Sequence, residues 1–342
     1  MAGTWTNQNK VIPGAYINFK TNSPISITPG DRGIVVILQE VTGGEKGTIY
    51  KLTGSENNLP EEADASLAKE ALKGASTVYV YCLETEAHDA EDLQAALAAL
   101  KTFNFNVLVY PYTDSEKNQA VATWLGQMRD EEGIKVQAVI PNYVADKEYI
   151  INVVQQIVLD GNKTLDVGAV AAYVGGITAG ASISESNTNK RYTGAIDVKP
   201  RMTKTEMEAA INAGKYIFKV DNSQNVTSVY DINSLTSISP EKDKSFKKNR
   251  TVRVIDGINN DVVTIFESNY LGKVNNNEDG RSLLKSTLVE YFNELQRLNA
   301  IQNFETDDVE VLEGTDKDAV IINCNVQTVD SVEKIYITVN LS

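Results

Sequence analysis

Hydrophobic and polar residues alternate near both ends of the chain, which is the pattern of β-strands. Near the N-terminus the alternating residues are Ala15, Tyr16, Ile17, Asn18, Phe19 and Lys20. Near the C-terminus the apolar members are Ile335, Ile337, Val339 and Leu341, and the residues between them are Tyr336, Thr338 and Asn340. The pattern predicts two strand-forming terminal arms, residues 1–24 and 333–342.

Between the arms, the apolar pattern changes twice. Residues 25–76 contain a compact apolar run at residues 33–38, then short strands separated by glycines and a helix near residues 61–74. Strands bounded by glycine and proline predict a small β-rich domain here.

Residues 77–235 alternate short apolar runs with segments of helical periodicity. The predicted strands are residues 78–83, 107–110 and 136–140, and the predicted helices are residues 90–100, 114–128 and 148–159. Residues 167–173 fit either a strand or the start of a helix. A short helix at 205–213 and a hairpin of residues 216–220 with 226–230 follow. This alternation predicts a mostly parallel sheet covered on both faces.

Residues 236–332 predict an α+β domain, so the whole chain is expected to be an α/β and α+β multidomain protein. Residues 250–255 fit a strand, as do residues 309–312 and 319–326. Asp279 stands at a favourable N-cap position for a long helix. One face of that helix carries Leu283, Leu284, Leu288, Tyr291, Phe292, Leu295 and Leu298.

Composition excludes several classes of function. The net charge of −14 over 342 residues argues against nucleic acid and against an anionic membrane as partners. No run of 18 apolar residues and no secretory signal occur, so neither membrane insertion nor secretion by a signal peptide is expected. Cys82 and Cys324 lie in apolar strand-like runs, which favours buried thiols over a disulfide. We expect the chain to be made and assembled in a cytoplasm.

The sequence offers no convincing catalytic, cofactor or metal site. His88, the only histidine, lies in an acidic loop where we expect solvated charge instead of the buried carboxylate and serine of a triad. Residues 275–280 resemble a calcium loop, but Ser286 replaces the required glutamate, which favours a turn before the helix. Residues 175–180 are glycine-rich without matching a nucleotide-binding motif, which favours a close-packed turn.

A basic cluster stands out against the acidic background. It consists of Lys242, Lys244, Lys247, Lys248, Arg250 and Arg253. The cluster fits either a solvated loop or an electrostatic contact with an acidic partner surface.

The terminal arms leave three structural solutions open. Unpaired strands can pair with each other, cap the sheet of their own domain, or add to the sheet of a neighbouring copy. Addition to a neighbour is a heterologous contact, which builds rings or helical arrays.

Four segments, taken in order and spacing, resemble the tail sheath proteins of contractile phages and of the related R-type bacteriocins, in the compact form found in Gram-positive bacteria. They are residues 11–19 (VIPGAYINF), 192–197 (YTGAID), 247–256 (KKNRTVRVID) and 270–281 (YLGKVNNNEDGR). The resemblance implies a small β domain, an α/β domain likened to the subtilisin fold but lacking its catalytic triad, and a C-terminal domain with projecting arms.

The resemblance also implies a structural function. Six subunits would form each ring around an inner tube, and stacked rings would contract to drive the tube through the target cell envelope. The residues matching the strand-exchanging arms are Val11, Ile12, Ala15, Tyr16, Ile17, Phe19, Ile335, Tyr336, Ile337, Val339 and Leu341. Implied partners are further copies of the chain, the inner tail tube protein, and baseplate and tail terminator proteins, in a virion tail or a bacteriocin particle.

Family sheaths contact the tube through their C-terminal domain, and two surfaces are candidates. One is the basic cluster with Lys242, Lys244, Lys247, Lys248 and Arg250, and the other is the long helix with Lys285 and Arg297. Two other functions stay open: a subtilisin-like hydrolase, which would need His88, and another tail structural protein, such as a tube or baseplate subunit.

Overall fold

The computed structural model of the protein describes residues 32–84 and 88–341. The predicted N-terminal arm, including Val11–Phe19, lies outside the described residues. No helix within the described ranges combines the length and the apolar character needed to cross a membrane.

Strands and helices alternate through most of the described chain. The strands are β1 (Ile34–Glu40), β2 (Ile49–Thr53), β3 (Thr77–Leu83), β4 (Val107–Val109), β5 (Gln137–Pro141), β6 (Ile150–Val153), β7 (Gln156–Leu159), β8 (Thr164–Leu165), β9 (Ala195–Lys199), β10 (Lys215–Tyr216), β11 (Phe218–Val220), β12 (Val226–Ser228), β13 (Ile301–Gln302), β14 (Val309–Glu313), β15 (Val320–Cys324) and β16 (Gln327–Thr328). The α-helices are α1 (Ser66–Ala71), α2 (Ala90–Leu100), α3 (Ser115–Asp130), α4 (Val167–Gly180), α5 (Lys204–Asn212), α6 (Asn249–Asn269) and α7 (Glu278–Arg297).

A seven-stranded sheet in the order β10-β6-β5-β4-β1-β3-β2 forms the centre of the α/β part. Every neighbouring pair in it is parallel except β2 with β3. Both faces are buried, since Val35 and Ile37 of β1 belong to one hydrophobic cluster while Val36 and Leu38 belong to the other. The first cluster includes α1 and α4, and the second includes α2 and α3. The predicted mostly parallel sheet with two covered faces is confirmed.

The sheet does not divide at residue 76, where a separate small β-rich domain was expected to end. β1 lies between β3 and β4, and β2 pairs with the outer side of β3. The apolar run of β1 needs burial on both faces, and the centre of a parallel sheet supplies it. Residues 34–53 are therefore part of the α/β sheet.

Two segments adopt the opposite structure to the predicted one. Residues 148–159 form β6 and β7 instead of a helix, and residues 250–255 lie in α6 instead of a strand. The ambiguous residues 167–173 begin α4. Its Gly176 and Gly180 back directly onto α1 and Gly74, where an added Cβ would overlap the backbone of Ala71 and Gly74. The glycine-rich stretch is therefore a helix–helix contact and not a turn.

The C-terminal part packs α6, α7 and the β14–β15 hairpin around a third hydrophobic cluster, which confirms the predicted long helix and the two predicted strands. The N-cap of α7 is Asn277, whose side chain accepts from the Gly280 amide, and not the expected Asp279. Residues 275–280 are a turn leading into this helix, as expected.

Helix α6 joins the two parts. Its first turns are buried, and Asp256 forms a bidentate ion pair with Arg129 of α3, with N–O distances of 2.7 and 2.8 Å. Arg253, fully buried, donates to the Glu185 carbonyl at 2.7 Å and lies 3.5 Å from the carboxylate of Asp231. These charged contacts fix the start of the C-terminal part against the α/β sheet.

Candidate assembly surfaces

The C-terminal arm, predicted as a strand, has no regular secondary structure over residues 329–341 and pairs with no described strand. Among the described residues, the last backbone hydrogen bond after β16 runs from the Val329 amide to the Ala300 carbonyl, at 3.0 Å. The exposed fractions of the predicted arm residues lie between 74 and 95%, and these residues are Ile335, Tyr336, Ile337, Val339 and Leu341. Both faces of the arm are therefore uncovered. The described arm therefore does not cap a sheet of its own domain, which was one of the three possibilities.

Glu333 fixes the base of the arm. Its carboxylate accepts from the Thr188 hydroxyl at 2.6 Å and from the Ser331 hydroxyl at 3.1 Å, and it pairs with the Lys248 ammonium. The side chains of Glu333 and Lys248 are only 8% and 12% exposed. Burial alone would lower the pKa of Lys248, but the bonds to Glu333 and Tyr230 outweigh it and raise that pKa to about 12. Thr188 and Lys248, with Glu333 bound between them, are called the arm socket below. The arm therefore leaves the body from a fixed, charged contact.

The β14–β15 hairpin presents open sheet edges among the described residues, because these two strands pair only with each other. Val311, Val320 and Ile322 point inwards and pack on the third hydrophobic cluster. Leu312 and Ile321 are cross-strand partners on the outer face, and both are more than 40% exposed. Open strand edges present unpaired N–H and C=O groups that can pair with another chain, so this hairpin has the capacity to accept further strands.

An apolar groove lies beside β15. It is a cavity of about 280 Å³ between α6 and α7, and its lining includes Val262, Val263, Phe266, Leu288 and Ile322. Val320 and Ile322 of β15 both line it, so the groove borders this strand and most of its lining is apolar.

The basic cluster is not one continuous surface. Lys244 is exposed, and Lys242 reaches the buried Glu148 at 2.6 Å. Lys247 is half-buried, Lys248 lies in the arm socket, and Arg250 is buried with a hydrogen bond to the Asn299 carbonyl at 3.0 Å. The solvated-loop interpretation is therefore wrong for Lys248, Arg250 and Arg253, because each is used inside the fold.

The other candidate cations lie on α7. Lys285 is half-buried, and Arg297 is exposed and pairs with Glu294 one turn earlier, at 2.6 Å. Neither is used to bind another element of the described structure. No described contact joins Lys285 or Arg297 to Lys242 or Lys244.

Comparison with known proteins decides the family. The central domain of phage tail sheath proteins matches residues 86–234, and the phage tail sheath C-terminal domain matches residues 241–342. A sheath tail protein from Desulfitobacterium hafniense has the same fold with a TM-score of 0.85 and 30% identity, over 95% of this chain and 99% of that chain. The chain belongs to the phage tail sheath family.

Two further comparisons place this sheath-family chain among its relatives. It is 31% identical to the phage-like element PBSX protein XkdK of Bacillus subtilis over 87% of its own length. It spans 64% of the length of XkdK. The contracted helical sheath of the anti-feeding prophage shares the fold, with a TM-score of 0.75 at 16% identity, over 97% of this chain and 99% of that one.

His88 of this sheath-family chain lies in a buried environment, and the expectation of a solvated acidic loop is wrong. Its side chain is 3% exposed. The Nδ1 atom is 2.6 Å from the Glu40 carboxylate, and Nε2 is 2.7 Å from the Tyr110 hydroxyl. Glu40 ends β1 and Tyr110 follows β4, so the imidazole bridges the carboxyl ends of neighbouring strands. With both ring nitrogens occupied, the imidazole cannot act on a reactant in this conformation.

We expect His88→Ala to lower the free energy of unfolding by about 1–3 kcal/mol, because it removes the partner of a buried hydroxyl. Polymer formation should be unaffected at temperatures where the variant is folded. Urea unfolding followed by circular dichroism measures the first effect. His88→Gln, which keeps one hydrogen bond, should recover part of the loss, and a His88→Ala variant of unchanged stability would contradict this structural role.

The cysteines differ from each other. Cys82 is buried in β3, as expected, whereas Cys324 of β15 is exposed, so the expectation of two buried thiols is wrong for Cys324. Both are free thiols. In the part of the chain that the structure describes, no group of three or more histidine, cysteine or acidic side chains is arranged to hold a metal ion.

Sequence reasoning missed the residues that fix the arm and the body. Glu333 and Lys248 are 85 positions apart, and Arg129 and Asp256 are 127 apart. No periodic pattern connects residues at such separations. The one available signal was Glu333, an acidic residue two positions before the first apolar residue of the alternating run.

Proposed function

We propose that this chain is the structural subunit of a contractile tail sheath and not an enzyme. It would polymerise as stacked hexameric rings around an inner tube and contract to drive the tube through the target cell envelope. The family supports this assignment, and the uncovered C-terminal arm is the observation that carries it. Four apolar side chains on one face of that arm need a partner, and each would contribute roughly 1.5–3 kcal/mol on burial.

The arm of one copy would add a strand to the β15 edge of a neighbour. Three features of the described residues support this: the open edge, the apolar groove beyond it, and the period-two pattern of Ile335, Ile337 and Val339. Backbone hydrogen bonds would supply the linkage, and the apolar face would fix the register. Such a contact is heterologous, so it extends into an array instead of closing a dimer.

The N-terminal residues Val11, Ile12, Ala15, Tyr16, Ile17 and Phe19 would form the second exchanging strand. Their alternation and their match to the family's arm support this role. With a strand from each end, every subunit would be linked to neighbours within and between rings. The α/β part, as a subtilisin-like layer, would act as a rigid body while these linkages persist.

The remaining partners follow from the proposed sheath. The inner tail tube protein would lie against the C-terminal part, and baseplate and tail terminator proteins would lie at the two ends, in a virion tail or bacteriocin particle assembled in the host cytoplasm. For the tube, the exposed Lys242 and Lys244 and the α7 residues Lys285 and Arg297 remain the candidate contacts. Lys247, Lys248 and Arg250 are less suitable, because burial limits their access to a partner.

The purified chain should assemble into tubes with a ring repeat. We expect polymers in negative-stain micrographs and a fast-sedimenting species whose amount rises steeply above a critical concentration. Polymerisation should respond to salt, because screening reduces repulsion between copies that each carry a net charge of −14. A single monomeric species at millimolar chain concentration, in low and in high salt, would contradict the proposed function.

A further inference from the structure

The base of the arm carries a built contact whose purpose the fold alone does not explain. Between Val332 and Leu341, every described residue except Glu333 is exposed. Thr188, Lys248 and Glu333 form its centre, and each comes from a different segment of the chain. A carboxylate buried at the start of an otherwise uncovered strand is costly unless it is paired, and here it is paired with a cation and with hydroxyls.

The receiving side of this contact belongs to the rigid body. The Thr188 hydroxyl also accepts from the Asp231 amide at 3.0 Å, so its position is fixed by the body. Lys248 directly precedes α6, and its ammonium lies over the Tyr230 ring, 4.1 Å from the centroid. Asp330 adds a second carboxylate 3.2 Å from the same ammonium. The socket is therefore held in place independently of the arm.

We propose that Glu333 is the positioning residue for strand exchange: seated against Lys248 and Thr188, it fixes the point and direction in which the arm leaves its own subunit towards the neighbour. This inference rests on the proposed function. The free part of the arm then begins at Lys334 and reaches about 26 Å over eight residues. Without the socket it would begin near Asp330 and reach about 40 Å over twelve residues.

The physical benefit of the socket is preorganisation. A strand whose root is fixed loses less conformational freedom when it pairs with a neighbour than one on a longer tether. Removing the socket should therefore weaken assembly without removing any contact between subunits. This property separates a positioning residue from a contact residue.

Glu333→Ala tests the inference in the full-length chain. Spin labels on the native Cys324 and on a cysteine introduced by Asn340→Cys report the distance between body and arm, since Cys82 is fully buried and not labelled. Below the critical concentration, we expect a narrow distance distribution with Glu333 and a broad one with Glu333→Ala. In unlabelled protein, the critical concentration should rise by roughly tenfold, the ratio that 1.4 kcal/mol produces.

Controls separate positioning from general stability. Glu208→Ala removes the same charge from an exposed position on α5 and should change neither quantity. Glu333→Gln keeps the bond to Thr188 and should give an intermediate critical concentration. The unfolding midpoint is measured for each variant, and assembly is compared at a temperature where every variant is folded, because Glu333→Ala removes one carboxylate partner of Lys248 and leaves Asp330 as the other.

Three outcomes would overturn the inference. An unchanged distance distribution would mean that the socket does not hold the arm, and a broadened distribution with unchanged assembly would mean that its hold is irrelevant. A lower critical concentration would mean that Glu333 restrains the arm instead of directing it. If removal of the whole arm also leaves assembly intact, the proposed strand exchange fails as well, so the two failures are distinguishable.

Discussion

Deleting residues 334–342 should abolish polymers while leaving the unfolding of the body unchanged. The side chains of residues 334–341 are exposed and contribute nothing to the described hydrophobic clusters, so the body has no reason to lose stability. In the polymer, the same segment would supply a backbone ladder and an apolar face to a neighbour. We expect the critical concentration to rise beyond the measurable range, about a hundredfold or more, since the burial of two apolar side chains already corresponds to that factor. Sedimentation and negative stain measure it.

A matched pair of variants separates the two faces of the arm. Replacing Ile335, Ile337 and Val339 by serine should reproduce the deletion, because the face that would enter the groove becomes polar. Replacing Tyr336, Thr338 and Asn340 by serine should leave most of the assembly intact, because these side chains point the other way. Equal effects of the two triple variants would contradict a one-sided strand, and normal polymers from the deletion would remove the arm from the assembly altogether.

The sheet and its two faces were predictable because each strand is a short apolar run bounded by turn residues. The place of β1 was not. The apolar pattern of β1 would be the same in a small separate domain and at the centre of a larger sheet, because strand order is set by contacts between distant segments. The pairing of β1 with both β3 and β4 places it inside the larger sheet, and this pairing cannot be inferred from composition.

The two misassigned segments show how periodicity fails in buried elements. Residues 148–159 are rich in Ile and Val, and a run that is buried on all sides has no polar face to reveal its period. In α6 the alternation of Val252, Arg253 and Val254 imitates a strand. The helical signal was present in Arg250, Arg253 and Asp256, three buried charged residues spaced three positions apart in the first turns of α6. Because charged residues are rarely buried, a search for apolar periodicity does not count them as part of a buried surface.

For the candidate site, the arm itself could be predicted and its anchorage could not. Alternation over eight residues is a local property, and it singled out residues 334–341 as a segment with strand-forming potential while leaving open what the segment pairs with. The Glu333 socket depends on Thr188 and Lys248, which reach one place only after the chain has folded. The same limit applies to the groove beside β15, because α6 was expected to start as a strand.

Arg129→Ala should lower the free energy of unfolding by about 3–5 kcal/mol, the usual loss when one partner of a buried ion pair is removed. Asp256 would then lose both bidentate bonds, and the Val136 carbonyl would lose a donor at 2.9 Å. Burial alone would lower the pKa of the Arg129 guanidinium, but its bonds to Asp256 outweigh this effect and raise that pKa. Burial raises the pKa of Asp256, and its bonds to Arg129 oppose that shift. Arg129→Ala therefore leaves a buried carboxyl group without its hydrogen-bonded cation. Urea unfolding provides the measurement.

The control is the exposed pair of Arg201 and Asp197, which also has an N–O distance of 2.7 Å. Because solvent screens it, Arg201→Ala should cost less than about 1 kcal/mol. Replacing both buried partners, with Arg129→Met and Asp256→Leu, should recover most of the loss, since apolar side chains of similar size can fill the space of a buried pair. Recovery would mean that the pair's main contribution is to avoid an isolated charge where α6 meets α3. Equal losses of unfolding free energy from Arg129→Ala and Arg201→Ala would contradict a stabilising role for the buried pair. The contact between the α/β part and the C-terminal part would then have to depend on Arg253 and the apolar contacts of α6.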